Sequence, residues 1–302
     1  MSAARRGSGL DAQSLGPIEA ALRESIGPAA RVERAERVGV GGSGAAAYRI
    51  DTTAGPAFLK IGQTPSAFDV EAAALAEIAS TGTLRVPKVL GAGAASAGGF
   101  LLLEWIEFGD DGDWRAAGER LAALHAVARD RYGWPRDGTL GATPQLNAES
   151  SDWCEFYRTR RLEPQLRMAG ERGLRELARR AAAAERAASD RLSGYNPPAS
   201  LLHGDLWRGN LAFDIRREPV VFDPATYYGA AETDLAMTRL FGGFPREFYE
   251  AYDAARPPDA GRSERLSLYQ LYHVLNHANL FGGGYVAQAC AMIDALAQRP
   301  RP

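Results

Sequence analysis

The chain has 302 residues, 46% of them hydrophobic and 24% charged, with a formal net charge of −2 at pH 7. These values are typical of a globular protein with a large core, and they exclude a mostly disordered chain or one basic enough to bind nucleic acid or anionic lipid by charge alone. No apolar run reaches the roughly 18 residues of a membrane-spanning helix, and two cysteines are too few for a disulfide framework. Because the first residues also lack the apolar core of a secretory signal, the expected location is the cytoplasm.

Up to residue 104, the chain alternates strand-like segments with helices. Apolar residues recur at helical spacing over 14–26 and 66–80, and the second of these segments carries Glu71 on its apolar face. Short runs bounded by glycine, proline and threonine turns predict strands. The predicted strands cover 32–40, 47–51, 57–61, 86–90 and 100–104. This pattern predicts a lobe at 1–104 with an antiparallel sheet.

After residue 104, helical periodicity dominates. Helices are predicted over 113–129, 153–190 and 231–297, and short apolar runs that each end near a polar residue lie between the last two. The change in pattern predicts a hinge at 105–109 and a mostly helical lobe at 110–302. The expected fold class is therefore α+β with two lobes.

Three oxygen-bearing side chains follow short apolar runs between residues 201 and 223. Asn210 comes five residues after Asp205, and Asp223 comes thirteen residues after Asn210. An amide and a carboxylate suit Mg²⁺, which prefers oxygen ligands and is usually completed by nucleotide phosphates. Asp205 beside such an ion would accept the proton of a substrate hydroxyl. The Asp-x₄-Asn spacing matches the catalytic loop of protein kinases, and Asp223 would take the place of their second metal-binding aspartate.

A lysine, a glutamate and a glycine-rich segment in the first lobe complete this pattern. Only Lys60 and Lys88 are lysines among 35 basic residues, and Lys60 ends a predicted strand. Glu71 needs a partner on its apolar helix face, and a pair with Lys60 would hold the lysine on the phosphates of ATP. Glycine lets a loop approach phosphates without Cβ clashes. The candidate residues of that loop are Gly41, Gly42, Ser43 and Gly44.

Each feature also has an ordinary alternative. The glycine segment matches the G-x-G-x-x-G fingerprint of dinucleotide-binding oxidoreductases, but a helix should follow that fingerprint and a strand with a turn follows here. His273 and His277 have the i, i+4 spacing of a zinc pair without the glutamate of HExxH. His203 and His125 are interpreted as a structural brace and a buried core histidine. The order and spacing of all the elements together favour a kinase.

The motifs resemble those of the fructosamine kinase (ketosamine-3-kinase) family over about residues 14–290. The resemblance lies in HGDLW-x-GN at 203–210, DPA-x-YYG at 223–229, DLAM at 234–237 and NH-x-NLFGGGY at 276–285. HGD alone is shared with aminoglycoside and choline kinases, whereas the longer motifs are more specific to the family.

The resemblance implies a protein-kinase-like fold and an ATP- and Mg²⁺-dependent kinase. The implied reaction phosphorylates the 3-hydroxyl of ketosamines, as small molecules or on glycated proteins, and leads to deglycation. By matching position, Asp205 is the base, Asn210 and Asp223 bind Mg²⁺, and Lys60 with Glu71 anchors phosphates. The backbone of Glu104, Trp105 and Ile106 would receive adenine, and Trp207 and Tyr228 are candidates for substrate contact.

Two departures from the family pattern bear on these expectations. Ser43 stands where family members often carry a cysteine, so no redox-switched dimer is expected and the chain is expected to be a monomer. Ala230 replaces the histidine of a common YYGH motif, which affects substrate detail near Tyr228. Two alternatives stay open: another small-molecule kinase, acting on an aminoglycoside, choline or homoserine, and a nucleotide-binding scaffold without catalysis.

Overall fold

The computed structural model describes residues 10–40, 44–62, 64–96 and 98–298. The chain forms two compact units. Unit 1 holds the described residues up to Gly112 together with Phe213–Phe222, and unit 2 holds Asp113–Ala212 with the described residues from Asp223 onward. Within the described part of the chain, no helix is both long and apolar enough to cross a membrane.

Unit 1 is built on a five-stranded antiparallel sheet with strand order β1-β2-β3-β5-β4. The strands are β1 (Val32–Val40), β2 (Ala46–Thr52), β3 (Gly55–Ile61), β4 (Val89–Ala95) and β5 (Gly98–Glu104), and the helices are α1 (Ala12–Ser25) and α2 (Pro65–Ser80). The predicted antiparallel sheet is confirmed. Strand β4 begins later than the sequence predicts because Pro87 has no N–H to donate to the ladder.

The core of unit 1 lies between α1 and the sheet. Ile18 and Leu22 of α1 are fully buried against Ile50 of β2 and Leu59 of β3. On α2, Phe68, Leu75 and Ile78 are among the buried side chains, and the helix starts at an N-cap in which Thr64 accepts the N–H of Ala67 at 3.3 Å. This packing fixes the helix that carries Glu71.

Residues 213–222 belong to unit 1, although the sequence pattern groups them with the helical lobe. Two contacts hold them there: Gly109 N–H donates to the carbonyl of Phe213 at 2.9 Å, and Arg85 forms an ion pair with the buried Asp214. The two residues in each contact are far apart in the sequence, so the local hydrophobic pattern does not predict these contacts.

Unit 2 is mostly helical. Its helices are α3 (Trp114–Ala126), α4 (Trp153–Tyr157), a π-helix (Arg158–Leu162), α5 (Glu163–Glu171), α6 (Arg175–Leu192), α7 (Glu232–Thr238), α8 (Arg246–Ala255), α9 (Arg262–Phe281) and α10 (Gly284–Gln298). The helix predicted over 153–190 is in fact divided into four pieces. Gly173, in the left-handed region with φ +76°, follows α5 and separates it from α6.

The remaining strands are short. They are β6 (Ala128–Arg129), β7 (Gly138–Leu140), β8 (Thr143–Gln145), β9 (Ala199–Leu202), β10 (Leu211–Phe213), β11 (Pro219–Val221) and β12 (Tyr227–Gly229). All lie in unit 2 except β11, which is in unit 1, and β10, whose last residue, Phe213, is in unit 1. Strand β9 pairs with β12 on one side and β6 on the other, while β10 pairs with β11. Because β9 is the central strand and is buried along its length, the residues that follow it start from a rigid position.

Candidate active site

The loop after β9 is held in one conformation by a glycine. Gly204 has φ +84°, and a Cβ on it would lie 2.0 Å from the carbonyl oxygen of Ala225. The same two segments are joined by a hydrogen bond from Ala225 N–H to the carbonyl of His203, at 2.9 Å. Only glycine fits this close approach. The contact therefore fixes the backbone position of the next residue, Asp205.

Asp205, Asn210 and Asp223, singled out by their spacing, lie together in unit 2. The amide nitrogen of Asn210 donates to the carbonyl of Asp205 at 2.8 Å and to its carboxylate at 3.2 Å. This arrangement leaves the amide oxygen of Asn210 as the atom able to bind a cation. Asp223 has φ +57°, a left-handed conformation that is rare for a non-glycine residue and costs on the order of 1–3 kcal/mol.

The electrostatics of Asp205 are unusual for a carboxylate. Its pKa is raised to about 7, mainly by burial and also by the negative charge of Asp223, while the hydrogen bond from Asn210 acts in the opposite direction. Its side chain nevertheless keeps 23% of its surface exposed. Two neighbouring carboxylates with an amide oxygen beside them favour a hard divalent cation, which would relieve their repulsion. The described residues contain no group of three or more histidine, cysteine or acidic side chains able to hold a metal, so phosphates would have to complete such a site.

The carboxylate of Asp234, on α7, fixes the backbone of the loop that follows β9. Its two carboxylate oxygens accept the backbone N–H groups of His203 and Gly204, each at 2.8 Å. His125 contributes its Nε2 to the same carboxylate at 3.1 Å and bonds Tyr252 through Nδ1 at 2.8 Å. Burial lowers the pKa of His125, so the imidazole is neutral, donates to Asp234 and accepts from the tyrosine.

The pKa of Asp234 is lowered by this network. Burial alone would raise it, but the hydrogen bonds from His125 and from the N–H of Gly204 overcome that effect. Asp234 was part of the DLAM motif without an assigned role. The signal that could have found it is a carboxylate directly before an apolar stretch of a helix, here Leu235–Met237.

The Lys60–Glu71 pair expected in unit 1 is present. Lys60 Nζ donates to Glu71 Oε1 at 2.6 Å, and the two side chains are 5% and 15% exposed. Lys60 sits on β3 and Glu71 on α2, so the strand and the helix each supply one partner. A buried pair of this kind fixes the ammonium in one position.

Of the other predicted site residues in unit 1, some lie within the described residues and some do not. Gly41, Gly42 and Ser43 lie outside the described residues, whereas Gly44 lies just before β2. The Glu104 carboxylate accepts from Arg85 at 3.0 Å and from the N–H of Lys88 at 3.2 Å, so its side chain has a structural role. Ile106 is buried, and Arg49 stacks over the Trp105 ring at 5.0 Å.

The two candidates for substrate contact differ. Trp207 is 36% exposed and belongs to an aromatic surface. That surface, with ring centroids 4.8–6.5 Å apart, consists of Trp207, Phe241, His277, Phe281 and Tyr285. Tyr228, by contrast, is 3% exposed in β12 under the guanidinium of Arg129, which lies 4.4 Å from its ring centre. The ring is buried, and the substrate role of Tyr228 stays a prediction.

Relatives with known names match nearly the whole chain. The chain is 44% identical over 243 residues to a Synechocystis sp. protein named "Probable ketoamine kinase", covering 78% of this chain and 81% of that one. It is 38% identical over 282 residues to the chloroplastic protein-ribulosamine 3-kinase of Arabidopsis thaliana, covering 90% of this chain and 86% of the relative.

Solved structures agree with these relatives. A crystal structure named "Putative fructosamine-3-kinase", from Haemophilus somnus 129PT, superimposes with a TM-score of 0.86 at 30% identity and covers 94% of this chain and 98% of that one. An aminoglycoside phosphotransferase in ternary complex with AMP-PNP and hygromycin B has a TM-score of 0.59 at 16% identity over 93% of this chain and 97% of its own, which shows a common fold. These likenesses confirm the predicted protein-kinase-like α+β fold. Because the family model for fructosamine kinase matches residues 16–299, the chain belongs to the fructosamine kinase family.

Proposed function

We propose that the protein is an ATP- and Mg²⁺-dependent kinase that phosphorylates the 3-hydroxyl of ketosamines, free or on glycated proteins, and so starts the release of the amine. The observation that carries this proposal is the grouping of Asp205, Asn210 and Asp223 within unit 2 of a fructosamine kinase family member. In the reaction, the 3-oxygen bonds to the γ-phosphorus, the bond from that phosphorus to the β–γ bridging oxygen breaks, and ADP leaves.

Asp205 accepts the proton of the 3-hydroxyl. A carboxylate whose pKa is about 7 is a stronger base than an ordinary aspartate and is still half ionised at neutral pH. Asp234 contributes by position, since it fixes the two backbone N–H groups just before Asp205.

Asn210 and Asp223 are the residues that would hold Mg²⁺. Their oxygen donors suit that ion, and when bound it would offset negative charge on the nucleotide phosphates. Lys60, fixed by Glu71, would bind the phosphates. The loop with Gly41, Gly42, Ser43 and Gly44 would cover them, and the backbone of Glu104, Trp105 and Ile106 would receive adenine.

The test is ATP consumption with Mg²⁺ on a panel of ribulosyl-lysine, fructosyl-lysine, kanamycin, choline and homoserine. We expect turnover of the ketosamines alone, with ³¹P NMR locating the phosphate on the 3-oxygen. Asp205→Asn should abolish turnover and still bind nucleotide, while the matched control Asp130→Asn, exposed directly after β6, should behave as the wild type.

Other results would replace the proposal. Turnover of kanamycin or choline alone would assign a different acceptor to the same fold. Nucleotide binding with no turnover of any acceptor would favour a scaffold, and an active Asp205→Asn variant would remove the base from its role.

A further inference from the structure

His273, on α9, has a buried nitrogen without a partner. The residue is 3% exposed, and its Nδ1 makes no hydrogen bond to any described residue. The great majority of buried polar atoms in folded proteins are paired, because an unpaired one costs free energy of folding. Among the unpaired buried atoms of the described residues, this one lies beside the proposed base, where a substrate could satisfy it.

The other three histidines of the chain are accounted for. His125 bonds Asp234 and Tyr252, and His203 Nδ1 accepts the N–H of Asp205 at 3.2 Å. His277 donates from Nδ1 to the carbonyl of His273 at 2.8 Å. Among the described histidines, His273 is the one with a buried ring nitrogen that makes no hydrogen bond.

That nitrogen faces the proposed base. Nδ1 of His273 lies 4.0 Å from Oδ1 of Asp205, which is too far for a direct hydrogen bond. The pKa of His273 is lowered to about 3, mainly by burial and also by the neighbouring His277, so the contact is not an ion pair. At this separation, the neutral imidazole of His273 can form a hydrogen bond to one oxygen of a ligand. The carboxylate of Asp205 can form a hydrogen bond to a second oxygen next to it.

A sugar offers such a pair of oxygens on adjacent carbons. In a gauche diol the two hydroxyl oxygens are about a hydrogen-bond length apart, so one can reach Asp205 while the other reaches His273. A hydroxyl both donates and accepts, so it satisfies Nδ1 in either neutral tautomer, whereas the carbonyl at C2 of a ketosamine could only accept.

We propose that His273 binds the 4-hydroxyl of the ketosamine while Asp205 takes the proton of the adjacent 3-hydroxyl. The inference rests on the proposed function and adds a specificity determinant to it. A buried group that requires a substrate hydroxyl discriminates against substrates that lack it. The enzyme should therefore select sugars by the carbon next to the reacting one.

The experiment is a cycle of two enzymes and two substrates. Wild type and His273→Ala are assayed with a fructosamine and its 4-deoxy analogue. Wild type should prefer the complete sugar in kcat/KM by about tenfold or more. In His273→Ala the preference should fall to within about twofold, with KM for ATP unchanged. His277→Ala, one turn further on α9, should keep the wild-type preference whatever its effect on the absolute rate.

Failure of the inference is distinguishable from failure of the proposed function. If wild type phosphorylates neither ketosamine, the proposed function is wrong. If it phosphorylates both equally, or if His273→Ala slows both substrates alike and keeps the preference, His273 has only a structural role. His273→Leu, an apolar replacement with no polar atom at the position of Nδ1, serves as the second variant if the alanine variant does not fold, and the same loss of preference is required of it.

Discussion

Asp205 is held in an environment that disfavours its charged form. The unfolded chain releases this proton near the ordinary pKa of 3.8, whereas the folded protein releases it near 7. Between these values the folded state binds more protons, so its free energy of unfolding falls as pH rises. In Mg²⁺-free buffer with EDTA, Asp205→Asn should therefore be more stable than wild type, by roughly 3 kcal/mol above pH 7 and by little near pH 4.

Urea denaturation of both proteins across pH 4–8 measures this difference. The matched variant Asp130→Asn, which changes an exposed aspartate, should follow the wild-type curve. An Asp205→Asn advantage that is constant with pH would mean that proton binding at Asp205 is not its source.

Lys60 and Lys88 allow a matched test because they are the only lysines in the chain. Lys60 is buried against Glu71, and Lys88 is exposed. Arginine keeps the charge of Lys60 but has a planar group that does not fit a site shaped for an ammonium. We expect Lys60→Arg to lower kcat/KM for ATP by about tenfold or more, one tenfold step being about 1.4 kcal/mol, and Lys88→Arg to leave it unchanged. Steady-state kinetics with varied ATP decide the matter, and equal behaviour of the two variants would contradict the assignment.

Asp234 acts on the loop through its backbone. Asparagine would offer one acceptor oxygen in place of two, so the N–H of His203 or that of Gly204 would lose its partner. Since small misplacements of reacting groups cost about 100-fold, Asp234→Asn should lower kcat by about that factor with a smaller effect on KM for ATP. Asp253→Asn breaks an ion pair with Arg262 and serves as the control for lost stability alone. A kcat within twofold of wild type would remove the positioning role.

At the scale of elements, two helix glycines should respond to alanine with opposite signs. Gly118 lies where α3 meets α8, and a Cβ there would come within 2.2 Å of the carbonyl oxygen of Phe248, so Gly118→Ala should destabilise by about 2 kcal/mol or more. Gly170 lies in α5, where a Cβ would make an ordinary contact with the Cβ of Ala178 at 3.8 Å, so Gly170→Ala should stabilise by about 0.5–1 kcal/mol through helix propensity. Thermal and urea unfolding of both variants check the pair, and a shift of the same sign in both would refute the packing described for α3 and α8.

Element type followed from sequence more readily than element boundaries. Helical spacing predicted the α2 face with Glu71 because periodicity is a local property. The breaks inside 153–190 were missed because alanine, arginine and glutamate continue a helical pattern on both sides of Gly173. The start of β4 depended on Pro87, one residue in an otherwise strand-like run.

At the scale of the whole molecule, the site was predictable where its residues are close in sequence. Asp205, Asn210 and Asp223 fall within one short segment, so their spacing alone indicated a common site. Asp234 reaches the loop from 31 residues away, and its bond to His125 spans 109. Contacts of that range depend on how α3, α7 and α9 pack, which no local pattern specifies.

The membership of Phe213–Phe222 in unit 1 has a consequence for synthesis on the ribosome. The hundred residues Asp113–Ala212 must be translated before Asp214 exists to pair with Arg85. At about 5–20 residues per second this takes roughly 5–20 s. During that interval the nascent first unit has Arg85 without Asp214 and Gly109 without its acceptor on Phe213. The N-terminal unit is thus completed only after most of its companion has emerged, and the order of folding does not follow the order of translation.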